Sequence, residues 1–560
     1  MSIADVSNLF TFCGGLGMFL YGMHVMSDGI QRSAGEKMKN LLGILTNNRL
    51  TAVLVGALIT AIIQSSGATT VMVVGFVNAG LMTLTQVVGV IMGANIGTCI
   101  TAWIVSMESL GDAFKAMSPT LYAPLIICIG AFLIMFSKKN GRKDVGNILI
   151  GLGLLFLGLD FMKNGAGEYT DLPIFTTAFQ LFSANPILGI AIGMIVTAIM
   201  QSSSAAVGIL QMLASTGGVV TAASAIYISL GSNIGSCVTA LLSSMGTTRN
   251  AKRTAVMHLT FNIVGTILFG TVLYIVFLFN QTLRVAPITS VGISIFHTVF
   301  NIICTILLFP FANVLVKISD IVVPKKEEAM EQKQDSNSEE NVALRHLDKR
   351  ILESPAFAVE AASREVVHMG EITLQNTRLA LEAITTQEMD MVQKVYENEK
   401  TINNLEKMLT EYLVKVNNLS LTDHQHLIVS NLFYTVNDIE RVGDHTENIA
   451  EQVEYMINNQ IHFSETGKKD IQDIGNTAAK AFAYSIECRE KNSKEALRKV
   501  INLEDDVDTL EEDLRAKHIQ RLSAGECDPS SGVVFLDIIG NLERISDHAT
   551  NIVGYVRDEL

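Results

Sequence analysis

Two apolar stretches, 50–77 and 186–214, are each longer than one bilayer crossing, and each is cut near its middle by a polar break. The breaks read Gln64-Ser65-Ser66-Gly67 and Gln201-Ser202-Ser203-Ser204. A spanning helix needs about 20 apolar residues. The apolar pieces before the breaks, 50–63 and 187–200, are too short for that. Polar backbone at bilayer depth is tolerated only where it lines protein or water. The pattern predicts two re-entrant hairpins.

The breaks sit inside a longer duplication. Gly15-Leu-Gly-Met-Phe-Leu-Tyr-Gly22 returns as Gly151-Leu-Gly-Leu-Leu-Phe-Leu-Gly158. Val55 to Ser66 returns as Ile192 to Ser203, and Gly93-Ala-Asn95-Ile-Gly-Thr98-Cys-Ile-Thr-Ala102 as Gly231-Ser-Asn233-Ile-Gly-Ser236-Cys-Val-Thr-Ala240. Repeat one covers about 8–118 and repeat two about 145–253, with further helices at 254–279 and 291–317. Other apolar stretches lie at 8–26, 81–106, 119–136, 145–162 and 219–245. The first has no basic n-region and no small-residue cleavage site, so it reads as a retained membrane segment.

Loop charge gives orientation, because cytoplasmic loops collect Lys and Arg. Arg32, Lys37, Lys39 and Arg49 place 28–49 inside, and Lys138, Lys139, Arg142 and Lys143 place 137–144 inside. Arg249, Lys252 and Arg253 do the same for 246–253, while 107–118 and 163–185 fall outside. The N-terminus is then outside, and the two copies run in opposite directions. An inverted repeat of this kind is the pattern of secondary transporters, with the site near the midplane where the copies meet.

Charge divides the chain a second time. Residues 1–324 carry 15 Lys+Arg and 10 Asp+Glu, a balance of +5, and 325–560 carry 26 and 45, a balance of −19. An acidic half of that density argues against nucleic acid as a partner and suits metal cations or a basic partner protein. The seven cysteines show neither metal-type spacing nor disulfide density.

Each Gln-Ser-Ser break offers an amide and hydroxyls beside the free N–H groups that begin the next half-helix, which together favour an anion. The same neutral oxygens can coordinate Na⁺. Asn95, Thr98, Asn233 and Ser236 add matched polar groups, and the neighbouring glycines permit close backbone approach. His258-Leu-Thr-Phe-Asn262 is echoed by His297-Thr-Val-Phe-Asn301, with His and Asn on one helix face. These four residues either line the pathway or bond helix to helix. Asp160, opposite His24 in the other copy, is an interfacial carboxylate or an ion ligand.

Through both Gln-Ser-Ser breaks and both Gly-x-Asn-Ile-Gly blocks, residues from about 8 to 320 resemble the sodium/phosphate cotransporter family that includes the type II cotransporters. The resemblance implies Na⁺-coupled movement of inorganic phosphate by alternating access. It places substrate and sodium contacts at Gln64, Ser65, Ser66, Gln201, Ser202, Ser203 and Ser204. Gly67 stands where the animal members usually carry a third serine, which bears on sodium stoichiometry.

The stretch 325–344 is charged, lacks apolar periodicity and reads as a linker. From 345 to 560 the pattern is helical throughout and again duplicated. Glu399-Lys-Thr-Ile-Asn-Asn-Leu-Glu406 resembles Glu504-Asp-Asp-Val-Asp508-Thr-Leu-Glu511. Ile439-Glu440-Arg-Val-Gly-Asp444-His445-Thr-Glu-Asn448 resembles Leu542-Glu543-Arg-Ile-Ser-Asp547-His548-Ala-Thr-Asn551. Carboxylates four apart share a helix face and repel, so a facing cation relieves a cost. His445 and His548 lie about 100° round the helix from those faces and are not counted as ligands.

The two Glu-Arg-x-x-Asp-His blocks resemble the PhoU family of phosphate-signalling regulators. That likeness implies metal clusters of iron, zinc or magnesium on Glu440, Asp444, Glu543 and Asp547, with Glu399 and Glu504 assisting. No phosphate-binding glycine loop, nucleophile–base pair or zincin motif is present in the sequence, so an enzyme is not expected.

The expected fold class is all-α: polytopic membrane helices in two inverted repeats with re-entrant hairpins, then a cytosolic pair of three-helix units. The expected function is sodium-coupled phosphate transport in a bacterial inner membrane, with a regulatory cytosolic domain open to a signalling protein partner. The alternatives are a sodium-coupled carrier of another small oxyanion or neutral solute, and a membrane phosphate sensor that transports nothing.

Overall fold

The computed structural model describes residues 3–44, 48–108, 119–170, 172–216, 219–324, 339, 343, 346–525 and 528–560. Nearly all of these are helical, and among the described residues the only β-type pairing is a single bridge between Thr221 and Pro287. The chain forms two compact units, Met1–Glu327 with Asp348–Phe357, and Glu328–Leu347 with Ala358–Leu560. The stretch read as a linker, 325–344, lies almost wholly outside the described residues.

The first unit contains α1 (Ile3–Ile44), α2 (Arg49–Ile63), α3 (Ser66–Asn78), α4 (Leu84–Gly97), α5 (Cys99–Ser106), α6 (Pro119–Phe136), α7 (Asn140–Thr170) and α8 (Pro173–Ala184). It continues with α9 (Pro186–Met200), α10 (Ser203–Ser215), α11 (Ala222–Ser243), α12 (Arg249–Phe279), α13 (Gln281–Val285), α14 (Ser290–Leu308) and α15 (Ala312–Val322). Among the described residues seven segments are long and apolar enough to cross a membrane, eight if the bent pair α8–α9 is one span. The chain is a multi-pass membrane protein.

The first helices of the two copies pair with each other. A Cβ on Gly15 would meet Gly158 O at 2.8 Å, one on Gly22 would meet Gly151 O at 2.7 Å, and one on Gly165 would meet Asn8 O at 2.7 Å. Contacts that descend along α7 as they ascend along α1 make the pair antiparallel. Small residues every seventh position let two backbones approach where lipid supplies no hydrophobic drive. Gly29 and Gly165 extend the stripe one repeat beyond the block legible in sequence.

Both breaks fold in one way. Gln64 and Gln201 adopt left-handed backbone, with φ of 57° and 53°. Ser65 and Ser202 follow as N-caps, their hydroxyls accepting from Ala68 N at 3.1 Å and Ala205 N at 3.2 Å. A helix of 15 residues ends and one of 13 begins at each break. The hairpins open toward opposite ends of α11. Asn78, which ends α3, accepts from Thr248 N at 2.9 Å just past the end of α11. The chain leaving α10 instead reaches Thr221, which caps the start of α11.

Two features depart from the expected outline. Residues 163–185 are not a loop, because α7 runs on to Thr170 and α8 follows. Pro173 is tolerated in the first turn, and Asn185 ends α8 and caps α9 across a bend of 117°. Asp348–Phe357 also packs within the first unit. Asn78 Nδ2 donates to Asp348 Oδ2 at 2.6 Å, Arg350 donates to the Ser243 carbonyl, and Phe357 meets the edge of Phe76.

The second unit contains α16 (Pro355–Thr386, from Ala358 onward), α17 (Met389–Asn417), α18 (Asp423–Asn458), α19 (Glu465–Lys491), α20 (Lys494–Ser523) and α21 (Pro529–Glu559). Repetition places α16–α18 and α19–α21 as two three-helix sets. Arg489 and Glu559 form a buried pair that also takes Asn431, tying α19, α21 and α18 together.

Candidate functional site

In the first unit the two breaks face one another. A Cβ built on Gly67 would lie 3.7 Å from Gln201 O and 3.8 Å from Thr239 Cγ2. The second half of each hairpin packs against the far repeat, α3 on α11 and α10 on α5. Within each repeat the Gly-x-Asn-Ile-Gly block packs against the first half of its own hairpin. A Cβ on Gly93 would fall 1.9 Å from Val53 O, and one on Gly231 would fall 1.9 Å from Ile190 O. Only glycine lets α4 sit on α2, and α11 on α9, at that distance.

The predicted residues divide into those committed to the fold and those left open. Ser65 and Ser202 cap their helices. Thr98 donates to Ala94 O at 3.0 Å and Ser236 to Asn233 O at 2.7 Å, within their own segments. Asn95 donates to Ile91 O, whereas Asn233 joins His297 and Asn301. Ser66, Ser203 and Ser204 are buried at the helix starts. Among the described residues their hydroxyls have no protein hydrogen-bond partner. Asp160 accepts from Asn164, and His24 lies beside Asp28, which follows Ser27, whose hydroxyl donates to the Ile63 carbonyl just before the first break.

Thr101 was missed as a site residue, though it stands in the repeated block. Its hydroxyl donates to Gln64 Oε1 at 2.9 Å. In the other copy Gln201 is exposed and the buried Thr239 hydroxyl has no partner. A pair of helix starts, hydroxyls and amides, with no Lys or Arg among the residues named, can hold an anion and a hard cation together and release both.

In the second unit, carboxylates gather on two faces. Glu399 of α17 is 1% exposed, and neither of its oxygens has a partner. Burial first, then Glu447, Asp444 and Glu440, push its carboxyl up to about 8. Glu440 is raised by burial and by Asp444. On the other face Glu504, Asp508 and Asp547 bring ligand atoms within 4.8 Å of one another. Burial and neighbouring carboxylates raise Glu504, Glu543 and Asp547 as well. Asp508 was absent from the predicted ligands, although the echo of the Glu399 and Glu504 helices contains it. His445 and His548 stack at 5.6 Å, with Nδ1 of each taken by Asn541 and Asp438.

A buried orphan carboxylate and a tight oxygen triad fit a multivalent cation. Without one, the raised Glu399 has a calculable cost. Between its ordinary 4.5 and about 8 the folded chain holds a proton that the unfolded chain gives up, so stability falls as pH rises through that window. With metal chelated at pH 8, Glu399→Gln should slow hydrogen exchange in α17 and α18 by about tenfold or more. At pH 4.5 the two chains should exchange alike.

Comparison with known proteins agrees with this architecture. The family model described as Na+/Pi-cotransporter matches residues 18–164 and 173–305, and the PhoU domain model matches 366–453 and 471–556. The uncharacterized protein YqeW of Bacillus subtilis (strain 168) is 30% identical over 320 residues, 57% of this chain and 99% of its own. The Escherichia coli (strain K12) protein named "Putative inorganic phosphate export protein YjbB" is 23% identical over 437 residues, 78% of this chain and 76% of its own. A PhoU homologue of Thermotoga maritima, named as a phosphate-specific transport system accessory protein, is 24% identical over 175 residues, 31% of this chain and 74% of its own. The chain thus belongs to the Na+/Pi-cotransporter family and carries PhoU domains in its C-terminal half.

Proposed function

We propose that the first unit moves inorganic phosphate with sodium by alternating access, from a site between the two hairpin tips. The observation that carries this reading is the meeting of Gly67 with Gln201 and Thr239, which joins two neutral, hydroxyl-rich helix starts. Helix N-termini attract the anion, and side-chain oxygens suit Na⁺. The absence of a fixed cation among these residues lets phosphate leave once sodium leaves. On this reading the site lies in a bacterial inner membrane with the N-terminus outside, an orientation supported by the basic loops at 28–49, 137–144 and 246–253. Gradients of both solutes set the direction of flux, so the same cycle serves import or export.

The test is radiolabelled phosphate in proteoliposomes holding the full chain. A sodium gradient should drive flux, and Gln201→Ala should lower it about tenfold or more. Phosphate flux indifferent to sodium would remove the coupling, and phosphate bound without flux would favour a sensor.

The second unit, on this reading, is a cytosolic regulator that holds divalent or trivalent metal, iron, zinc or magnesium, on two carboxylate faces. Glu399, Glu440 and Asp444 would hold one ion, and Glu504, Asp508, Glu543 and Asp547 the other. The metal would supply charge compensation and rigidity. Elemental analysis of the purified full chain should find bound metal, with roughly half lost in Asp508→Asn/Asp547→Asn. An unchanged metal content would contradict the assignment.

A further inference from the structure

We propose that His258 and His297 are positioning residues of the transport cycle: each closes a His–Asn–Asn clasp to one repeat, and the two clasps close in turn. The inference rests on the alternating-access reading and adds the device that alternates.

One clasp is closed. His297 Nε2 and Asn233 Oδ1 lie 3.1 Å apart, and Asn233 Nδ2 donates to Asn301 Oδ1 at 3.1 Å. Asn301 Nδ2 donates back to His297 O at 2.8 Å. This joins α14 to α11, a helix of the second repeat. α14 is also anchored to the first repeat, where the Cys99 thiol lies 3.6 Å from His297 O.

The echo at 258–262 has the same anchor in mirror relation. The Cys237 thiol lies 3.7 Å from His258 O, and Asn262 Nδ2 donates to that carbonyl at 3.0 Å. The exchange of repeats that carries Cys99 to Cys237 carries Asn233 to Asn95. His258 and Asn262 should therefore clasp Asn95, and α12 does pack against α4, which bears it. That clasp is open. Both ring nitrogens of His258 and Oδ1 of Asn262 are buried without a partner, and Asn95 Nδ2 turns to Ile91 O in its own helix.

The hairpins show the complementary asymmetry. The first repeat makes its Gln64–Thr101 bond and leaves its clasp open, while the second closes its clasp and leaves Thr239 unbonded. Each repeat thus holds one of its two available bonds. Inverted repeats in two different conformations generate the opposite-facing state when they exchange conformations. The orphaned atoms of one state become the bonded atoms of the other, which penalises arrangements between them. All four echo residues are at most 1% exposed, so bulk water does not reach them.

The experiment measures two distances by pulsed spin-label spectroscopy on the full chain lacking Cys13, Cys128 and Cys527. One label pair joins α4 to α12, at Thr85 and Ile267, and the other joins α11 to α14, at Leu242 and Ile295. His297→Ala should raise the population with a shorter α4–α12 distance and a longer α11–α14 distance at least threefold. His258→Ala should reduce that population below native. His297→Gln, which can still donate to Asn233, should stay near native, guarding against misfolding as the cause. Shifts of the same sign in both alanine variants, or no shift in either, would overturn the proposal. The distances are read without flux, so a failure of the phosphate reading would appear in liposomes and not in these spectra.

Discussion

Gly231→Ala is expected to abolish transport and much of the folded yield, although it adds one methyl group. The new Cβ would sit 1.9 Å from Ile190 O, 2.7 Å from the carbonyl carbon and 2.9 Å from Cα of the same residue. All three are backbone atoms, so no rotamer change relieves the overlap. Ordinary overpacking of a core costs about 1–3 kcal/mol, and a clash with fixed backbone exceeds that range. Relief requires α11 to leave α9, which withdraws the support beneath the Gln201 tip. Gly93→Ala should behave alike, since Val53 O lies at the same distance. Gly17→Ala is the control, because nothing lies within 4 Å of its Cβ position. It should fold as well as the parent, gaining roughly 0.5–1 kcal/mol of helix propensity. Detergent-solubilised yield and thermal stability would check all three.

Much of this architecture was legible because bilayer physics leaves few choices. An apolar piece of 15 residues cannot cross, so a polar break beyond it must turn the chain back. The repeated glycines at 93, 97, 231 and 235 announced close packing, and each has a backbone oxygen within 2.4 Å of its Cβ position. The carboxylate spacing of 440 and 444, and of 543 and 547, placed two acidic faces by helical geometry alone. What escaped were properties of the partner surface. Nothing near Thr101 in the chain says that its hydroxyl faces Gln64, 37 residues away. Asp508 gains its meaning only where α20 meets α21.

Helix α8 was missed for a related reason. Lys163, Glu168 and Asp171 give 163–185 the composition of a loop, yet Pro173 opens a helix whose Phe179 is buried in a cluster with Leu210 and Val220. Tertiary burial outweighed local polarity. The packing of Asp348–Phe357 in the first unit follows the same logic. Ile351 and Phe357 are ordinary apolar residues in sequence, and only Gly75 and Phe76 of α3 give them a place to go.

The second large effect concerns the meeting of the tips. Gly67 and Thr239 belong to different repeats, and a Cβ on Gly67 would lie 3.8 Å from Thr239 Cγ2, which puts cysteines at the two positions within cross-linking reach. A Cβ built on Gly67 meets nothing beyond its own turn of helix closer than 3.7 Å, so the first side-chain carbon of Gly67→Cys has room. A bond there would hold the first hairpin against α11. Alternating access requires the repeats to move against each other, so the bond should trap one facing state. The most direct measurement is sodium-driven phosphate flux through Gly67→Cys/Thr239→Cys, reduced and then oxidised, in the same liposomes. The account predicts flux in the reduced chain, a loss of about tenfold or more on oxidation, and recovery on reduction. Undiminished flux through chains shown to be fully cross-linked would contradict it.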